Sequence, residues 1–442
     1  MKGLKLSLVV MAAALLTIGL TGVSEAFHSG GVADCEGCHT MHNSLNGVKM
    51  IVNAKAIGVA NENLLQGSDQ SSTCLNCHAK SAADAGSYHI MTYPLPAAGV
   101  PPANYTPGGD FAWLAKDYTW IPRGTTPENS EGYKHGHNVV AADFGLVADV
   151  RYPGGTAPGG TYNASKLNCI SCHDPHGRYR VTDSTAGTFW WPGLGGAGKP
   201  IISSGSSGAD ATTAYAVGAY RLLGGKNYAP ASYPGAPAFT QDPMLAAVPS
   251  SYNKAVNNYY GIRVAYGKGS SDWCANCHNA MHSTLSTVSG SLVHPTGENL
   301  GGTIAANYNA YVKSGNLSGV VGNAFTSLVP FENNNVKNSV LFALTSKTDG
   351  PTASDRVSCF TCHKAHASAW DSIRRWSDGN EFLTVGDASG NAVYADKAVS
   401  AEAKVAQGRS KDELKAAYEG RDATVWAAGY QRSLCNKCHV KD

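Results

Sequence analysis

Apolar residues crowd one stretch of this chain and are scattered elsewhere. Leu6 to Leu20 is a nearly continuous apolar run between Met1-Lys2-Gly3-Leu4-Lys5 and Ser24-Glu25-Ala26, with small residues at the two positions a signal peptidase reads. The pattern predicts a cleaved secretory segment over 1–26 and a mature chain that begins at Phe27. The run is short for a membrane span and no basic stop-transfer cluster follows it. No Cys sits at the cleavage site to carry a lipid anchor, and no other apolar stretch is long enough to span. In the mature chain, short helices are expected at 211–223, 304–312 and 410–418, and just after each of six motifs described below. Residues 94–107 and 153–160 read as loops, and 187–208, rich in Gly and Ser, as extended. Strand signals are few and short.

Composition sharpens this picture. Gly accounts for 50 of 442 residues and only 15% are charged. Small residues let backbone approach flat groups closely, and aromatic residues cover their edges. The expected fold is therefore mostly coil and loops, with short helices and few strands, wrapped around cofactors. Removing 1–26 takes Lys2, Lys5 and Glu25 from the totals of 34 basic and 32 acidic residues, so the mature polypeptide is nearly neutral. With no basic run, nucleic acid is not an expected partner.

All 12 cysteines lie in six copies of Cys-x-x-Cys-His: Cys35/Cys38/His39, Cys74/Cys77/His78, Cys169/Cys172/His173, Cys274/Cys277/His278, Cys359/Cys362/His363 and Cys435/Cys438/His439. This is the attachment signature of c-type haem. Two thiols add to the vinyl groups of one haem, and the adjacent imidazole becomes the proximal ligand of its iron. A disulfide scaffold gives no reason for the trailing His, and zinc sites do not demand it. The reading is a multihaem cytochrome c with six haems. Two propionates per haem would make the holoprotein acidic. Successive first cysteines are 39, 95, 105, 85 and 76 residues apart, with no fixed repeat. No linker divides the chain, so 27–442 is expected to form one hexahaem domain.

Nine histidines remain: His28, His42, His89, His135, His137, His176, His282, His294 and His366. Six are needed if every iron takes two imidazoles, so supply exceeds demand. His42, His176 and His366 lie three residues after a proximal His, and His282 four after. If each motif runs into a helical turn, both imidazoles share one face. The second then cannot reach the far side of its own porphyrin and is free to bind another haem. Of the methionines, Met41 and Met281 lie beside candidate ligands and read as packing.

The stretch Phe27-His28-Ser29-Gly30-Gly31-Val32-Ala33-Asp34, running into Cys35-Glu36-Gly37-Cys38-His39-Thr40-Met41-His42, resembles the outer-surface hexahaem cytochromes of Geobacter. So do Gly108-Gly109-Asp110-Phe111, Gly136-His137-Asn138, Cys172-His173-Asp174-Pro175-His176-Gly177, Trp273-Cys274-Ala275-Asn276-Cys277-His278 and the terminal Leu434-Cys435-Asn436-Lys437-Cys438-His439. The likeness runs over essentially the whole mature chain. It implies an extracellular filament of identical subunits, little regular secondary structure and two histidines on every iron. It also implies that His42 leaves its own subunit to ligate a neighbour's haem at His363. On this pattern the distal ligands are His42, His89, His137, His176, His294 and His366, with His28 and His282 in reserve and His135 a bystander.

The function expected is long-range electron transfer without a substrate of its own, to partners such as other multihaem cytochromes or metal oxides. A monomeric periplasmic shuttle would carry the same motifs. A multihaem reductase would need an open iron, signalled by a variant motif or too few spare histidines. Neither sign is present.

Overall fold

The computed structural model describes residues 35–39, 44–45, 48–49, 64–81, 88–149, 155–196, 198–249, 263–282, 295–312, 316–320, 329–347, 349–426 and 429–440. The secretory segment, His28, His42 and His294 lie outside them.

Coil dominates, as expected. The longest described helices are Gln70–His78, Ser270–His278 and Gly301–Ala310, and strands are two to four residues long. The helix expected at 304–312 is Gly301–Ala310, and that at 410–418 is Lys411–Ala417. The second is closed by a capping box: Ser410 accepts from the Glu413 amide, and Glu413 reaches back to the Ser410 amide.

Two expectations fail. Residues 211–223 form no α-helix. Ala216–Gly218 is a fully buried inner strand followed by a 3-10 turn at Tyr220–Leu222. Val217 pairs with Val181, and Val181 with Phe189, which builds the dry face of a four-stranded sheet. Sheet pairing outweighs the local preference of a short Ala/Tyr-rich stretch. Helices also do not follow the motifs generally: among the described residues only the fourth motif is followed by one, the 3-10 turn Asn279–Met281. Two helices run into them and end on the proximal histidines His78 and His278. After Cys359–Cys362 the chain leaves extended at His363.

The sheet runs in the order Thr188–Trp190, Arg180–Asp183, Ala216–Gly218, Ile201–Ser203, and the last pair is parallel. A second core gathers Trp113, Tyr118, Trp370, Trp376, Tyr394, Leu414 and Tyr418 from the middle and the C-terminal part of the chain. Loop segments far apart in sequence are thus packed together between motifs.

Candidate haem sites

The motifs follow one another in space as they do in sequence. Cys38 lies near Cys77, and Cys74 lies beside Cys169. Cys172 lies near Cys277, and Cys274 lies beside Cys359. Cys362 lies near Cys435 and Cys438. Second cysteines meet at the first and third joints and first cysteines at the second and fourth. None of the twelve forms a disulfide. Their thiols stand in for the thioether sulfurs of attached haem.

The two first-cysteine joints are built alike. The Cys169 amide donates to Ser71 Oγ at 3.0 Å, and the Cys359 amide to Ser271 Oγ at 3.1 Å. Each serine lies three residues before the first Cys of the preceding motif's helix. The neighbouring serines are fixed in turn: Asp69 accepts from the Ser72 amide, and Glu332 from the Ser270 hydroxyl and the Ser271 amide. The Ser-Ser pair ahead of Cys74 and Cys274 is a sequence signal that motif reading passes over.

Backbone carbonyls set the imidazoles. The Nδ1 atoms of His78, His137, His173, His278 and His363 lie 2.6–2.9 Å from the carbonyls of Tyr88, Ala365, Arg221, Pro158 and Ser372. A carbonyl only accepts, so each Nδ1 carries the proton and each Nε2 keeps its lone pair for a metal. Burial also lowers the pKa of His173, His278 and His363. It pushes His137 to about 4 and His366 to about 3, helped by neighbouring imidazoles. All five are therefore neutral near pH 7, the ligating form.

Among the described residues, three pairs of imidazoles lie close together. The rings of His39 and His176 are 6.5 Å apart between centres and nearly parallel, at 8°. Those of His173 and His366 are 6.4 Å apart, and those of His137 and His278 are 6.1 Å apart. An iron held by two imidazole nitrogens at about 2 Å each separates ring centres by about 6 Å. The spacing, the tautomers and the adjoining cysteine pairs fit c-type haem. His176 and His366 turn away from their own motifs, but through the turn at 174–177 and the extended strand at His363, not through a shared helical turn.

The odd-numbered motifs share a further device. After the third, Arg221 and Leu222 adopt left-handed φ of 48° and 61°. The Arg221 carbonyl takes the His173 Nδ1 proton, Leu222 O accepts from the Asp174 amide, and the Gly224 amide donates to Cys172 O. After the fifth, Ser372 and Ile373 adopt φ of 58° and 59°. Their bonds to His363 and Lys364, and that of Arg375 to Cys362 O, repeat the set. At the first motif, Leu64 has φ of 53° and the Gln66 amide donates to Cys38 O. These are backbone contacts between distant residues and leave no mark in the sequence.

Other histidines are placed differently. His135 is fully buried, with Nδ1 3.1 Å from Trp113 O and Nε2 2.7 Å from Ser130 Oγ. His282 is buried with Nε2 3.1 Å from Asp272 Oδ1. His89 is buried beside Tyr88. The backbone amide of His439 donates to Cys435 O at 3.0 Å. Among the described residues, no helix is long and apolar enough to cross a membrane.

Known proteins resemble this chain throughout. It is 48% identical over 455 aligned residues, covering both chains entirely, to C-type cytochrome OmcS of Geobacter sulfurreducens. Its fold matches the Outer Membrane Cytochrome S filament of that organism with a TM-score of 0.82 at 47% identity. It matches the OmcS nanowires seen by cryo-EM with a TM-score of 0.83 at 47% identity, and both matches cover 94% of this chain and all of the other. No family model matches the sequence.

Proposed function

The chain belongs to the OmcS family of c-type cytochromes, and on that premise we propose that it binds six c-type haems and polymerises outside the cell into a filament for long-range electron transfer. Bound haem iron supplies one-electron ferric–ferrous chemistry. The residues do the rest. Cys35, Cys38, Cys74, Cys77, Cys169, Cys172, Cys274, Cys277, Cys359, Cys362, Cys435 and Cys438 anchor the haems. His39, His78, His173, His278, His363 and His439 hold the irons from the proximal side. Two imidazoles per iron leave no open position for a substrate and keep ligation the same in both redox states, which favours transfer over catalysis.

The observation that carries this reading is the direction of the facing pairs. His176, from the third motif's stretch, faces His39 of the first. His366, from the fifth, faces His173 of the third. A histidine three residues past an odd motif thus serves the iron two motifs back. His42 stands in the same relation to the first motif, and two motifs back from the first is the fifth motif of a preceding subunit. His42 is therefore the ligand donated to a neighbour's iron at His363. Its position within 16 residues of Phe27 suits a segment that reaches onto a neighbour. The cysteine alternation agrees: the next joint in sequence would bring together the first cysteines Cys435 and Cys35, and both are exposed in the single chain. A ligand given at one end and received at the other is a heterologous contact, which yields an open polymer unless the rotation closes. His137 completes the iron at His278, and His89 and His294 are assigned to the remaining irons, with His28 and His282 in reserve.

Electron paramagnetic resonance of the oxidised filament tests the ligation. Six low-spin ferric irons without a stoichiometric high-spin signal are expected. A full-occupancy high-spin iron would overturn the electron-transfer reading in favour of a reductase.

A further inference from the structure

The turn after the fifth motif holds two strained residues. Ser372 and Ile373 both sit in the left-handed region, and a branched residue such as Ile is rarely found there. Such conformations persist only where the surroundings over-determine them. The turn is backed by polar side chains, of which Arg409, Ser130 and His135 are buried. Arg409 is 1% exposed and lies between the rings of Tyr118 and Trp370, 4.1 Å from each centre. Its Nε donates to Ala369 O at 3.0 Å, its Nη1 to Gln407 O at 2.7 Å and its Nη2 to Ser130 Oγ at 3.2 Å. Ser130 Oγ donates to Asp371 Oδ1 at 2.6 Å. Asp371 leads directly into Ser372, whose carbonyl holds His363 Nδ1 at 2.7 Å. His135 closes the ring: its Nε2 lies 2.7 Å from Ser130 Oγ, and its carbonyl accepts from the Ser368 amide at 2.9 Å.

We infer that Arg409, Ser130 and Asp371 form a clamp that positions His363, the proximal ligand of the one iron completed by another subunit. The inference rests on the ligand reading above. Before a neighbour arrives, that iron has only its proximal imidazole, so the chain itself must hold the imidazole in its receiving orientation. The third motif's turn carries no carboxylate in the matching place, which is Tyr220. Its second imidazole comes from the same chain. The three residues touch no iron and act through the Ser372 carbonyl.

Asp371→Asn and Ser130→Ala test this in the complete haem-loaded filament. Asp371 is partly exposed and the serine change is small, so both variants are expected to fold. Deuterium exchange of segment 363–375 should rise several-fold, while 170–176 and 220–224 stay as they were. One of the six reduction potentials should move upward, because a weaker Nδ1 bond makes the proximal imidazole less electron-rich. A loss of packing alone would not single out one potential. Unchanged exchange and six unchanged potentials in both variants would overturn the clamp. The ligand reading is judged separately on the unaltered protein, by six haem masses and the absence of high-spin iron.

Discussion

The turns behind the third and fifth motifs have the same backbone and different supports. In both, a left-handed pair presents a carbonyl to the proximal imidazole, and two further bonds tie the pair to the motif. Yet the return comes 48 residues after His173 and only 9 after His363. The device belongs to tertiary structure, and loop length between its halves is immaterial. What differs is how each is held. The third is fastened by aromatic side chains: Tyr228 Oη donates to Ile170 O and His173 O, and Trp273 Nε1 donates to Gly224 O. The fifth is fastened by the polar clamp around Arg409. On the proposed ligation, the third motif's iron would be completed within its own chain and the fifth's by a ligand from outside. The comparison teaches that equal local geometry is held in one turn by the hydroxyl and indole donors of aromatic side chains and in the other by a linked guanidinium, hydroxyl and carboxylate.

The strongest way to break both turns at once is acid, because His366 belongs to the fifth motif's stretch and faces His173 of the third. Folding holds the pKa of His366 near 3 and of His137 near 4, below the usual value for histidine of about 6.5. The unfolded chain binds more protons in that window. The stabilisation is therefore complete above about 6.5 and is lost as pH falls towards the folded values. A pH titration of the low-spin absorption should show loss of ligation only well below pH 6.

Next in size is Gly224→Ala. A Cβ there would lie 2.4 Å from the Tyr228 ring, so the aromatic support leaves no room for one. A loss of about 3 kcal/mol, read by denaturant unfolding, follows from overpacking a rigid site. The matching position in the fifth turn holds Arg375, whose amide makes the same bond, to Cys362 O. Tyr228→Phe should cost about 1–2 kcal/mol by leaving the half-buried Ile170 and His173 carbonyls without their hydroxyl donor. It should leave the fifth turn's amide exchange untouched. Smallest are Ser71→Ala and Ser271→Ala, each removing one amide acceptor at equivalent joints, at about 1 kcal/mol apiece. Unequal effects of the two serines would show that the joints are alike only in outline.

The cofactor was legible from the sequence because its chemistry is local: Cys-x-x-Cys-His places three reacting groups within five residues. The loop-rich fold was legible from Gly content and from the short, scattered apolar pattern. The direction of His176 and His366 was half legible. Spacing marks them as ligands for another haem, but the helical turn invoked for it is absent. The chain leaves His363 extended because Lys364 pairs its amide with Ile373 O. Buried strand pairing at Val217 likewise overrode the helix expected at 211–223. The carbonyls that set each tautomer, the left-handed pairs and the clamp depend on contacts between residues 9 to 279 positions apart, for which single-residue patterns carry no signal.

His42→Ala tests the ligand passed between subunits most directly. The ring directions predict a matured six-haem protein with one high-spin iron, the one at His363, and no filaments in electron micrographs. Six low-spin irons in wild-type-like filaments of that variant would contradict the claim that one chain completes the next.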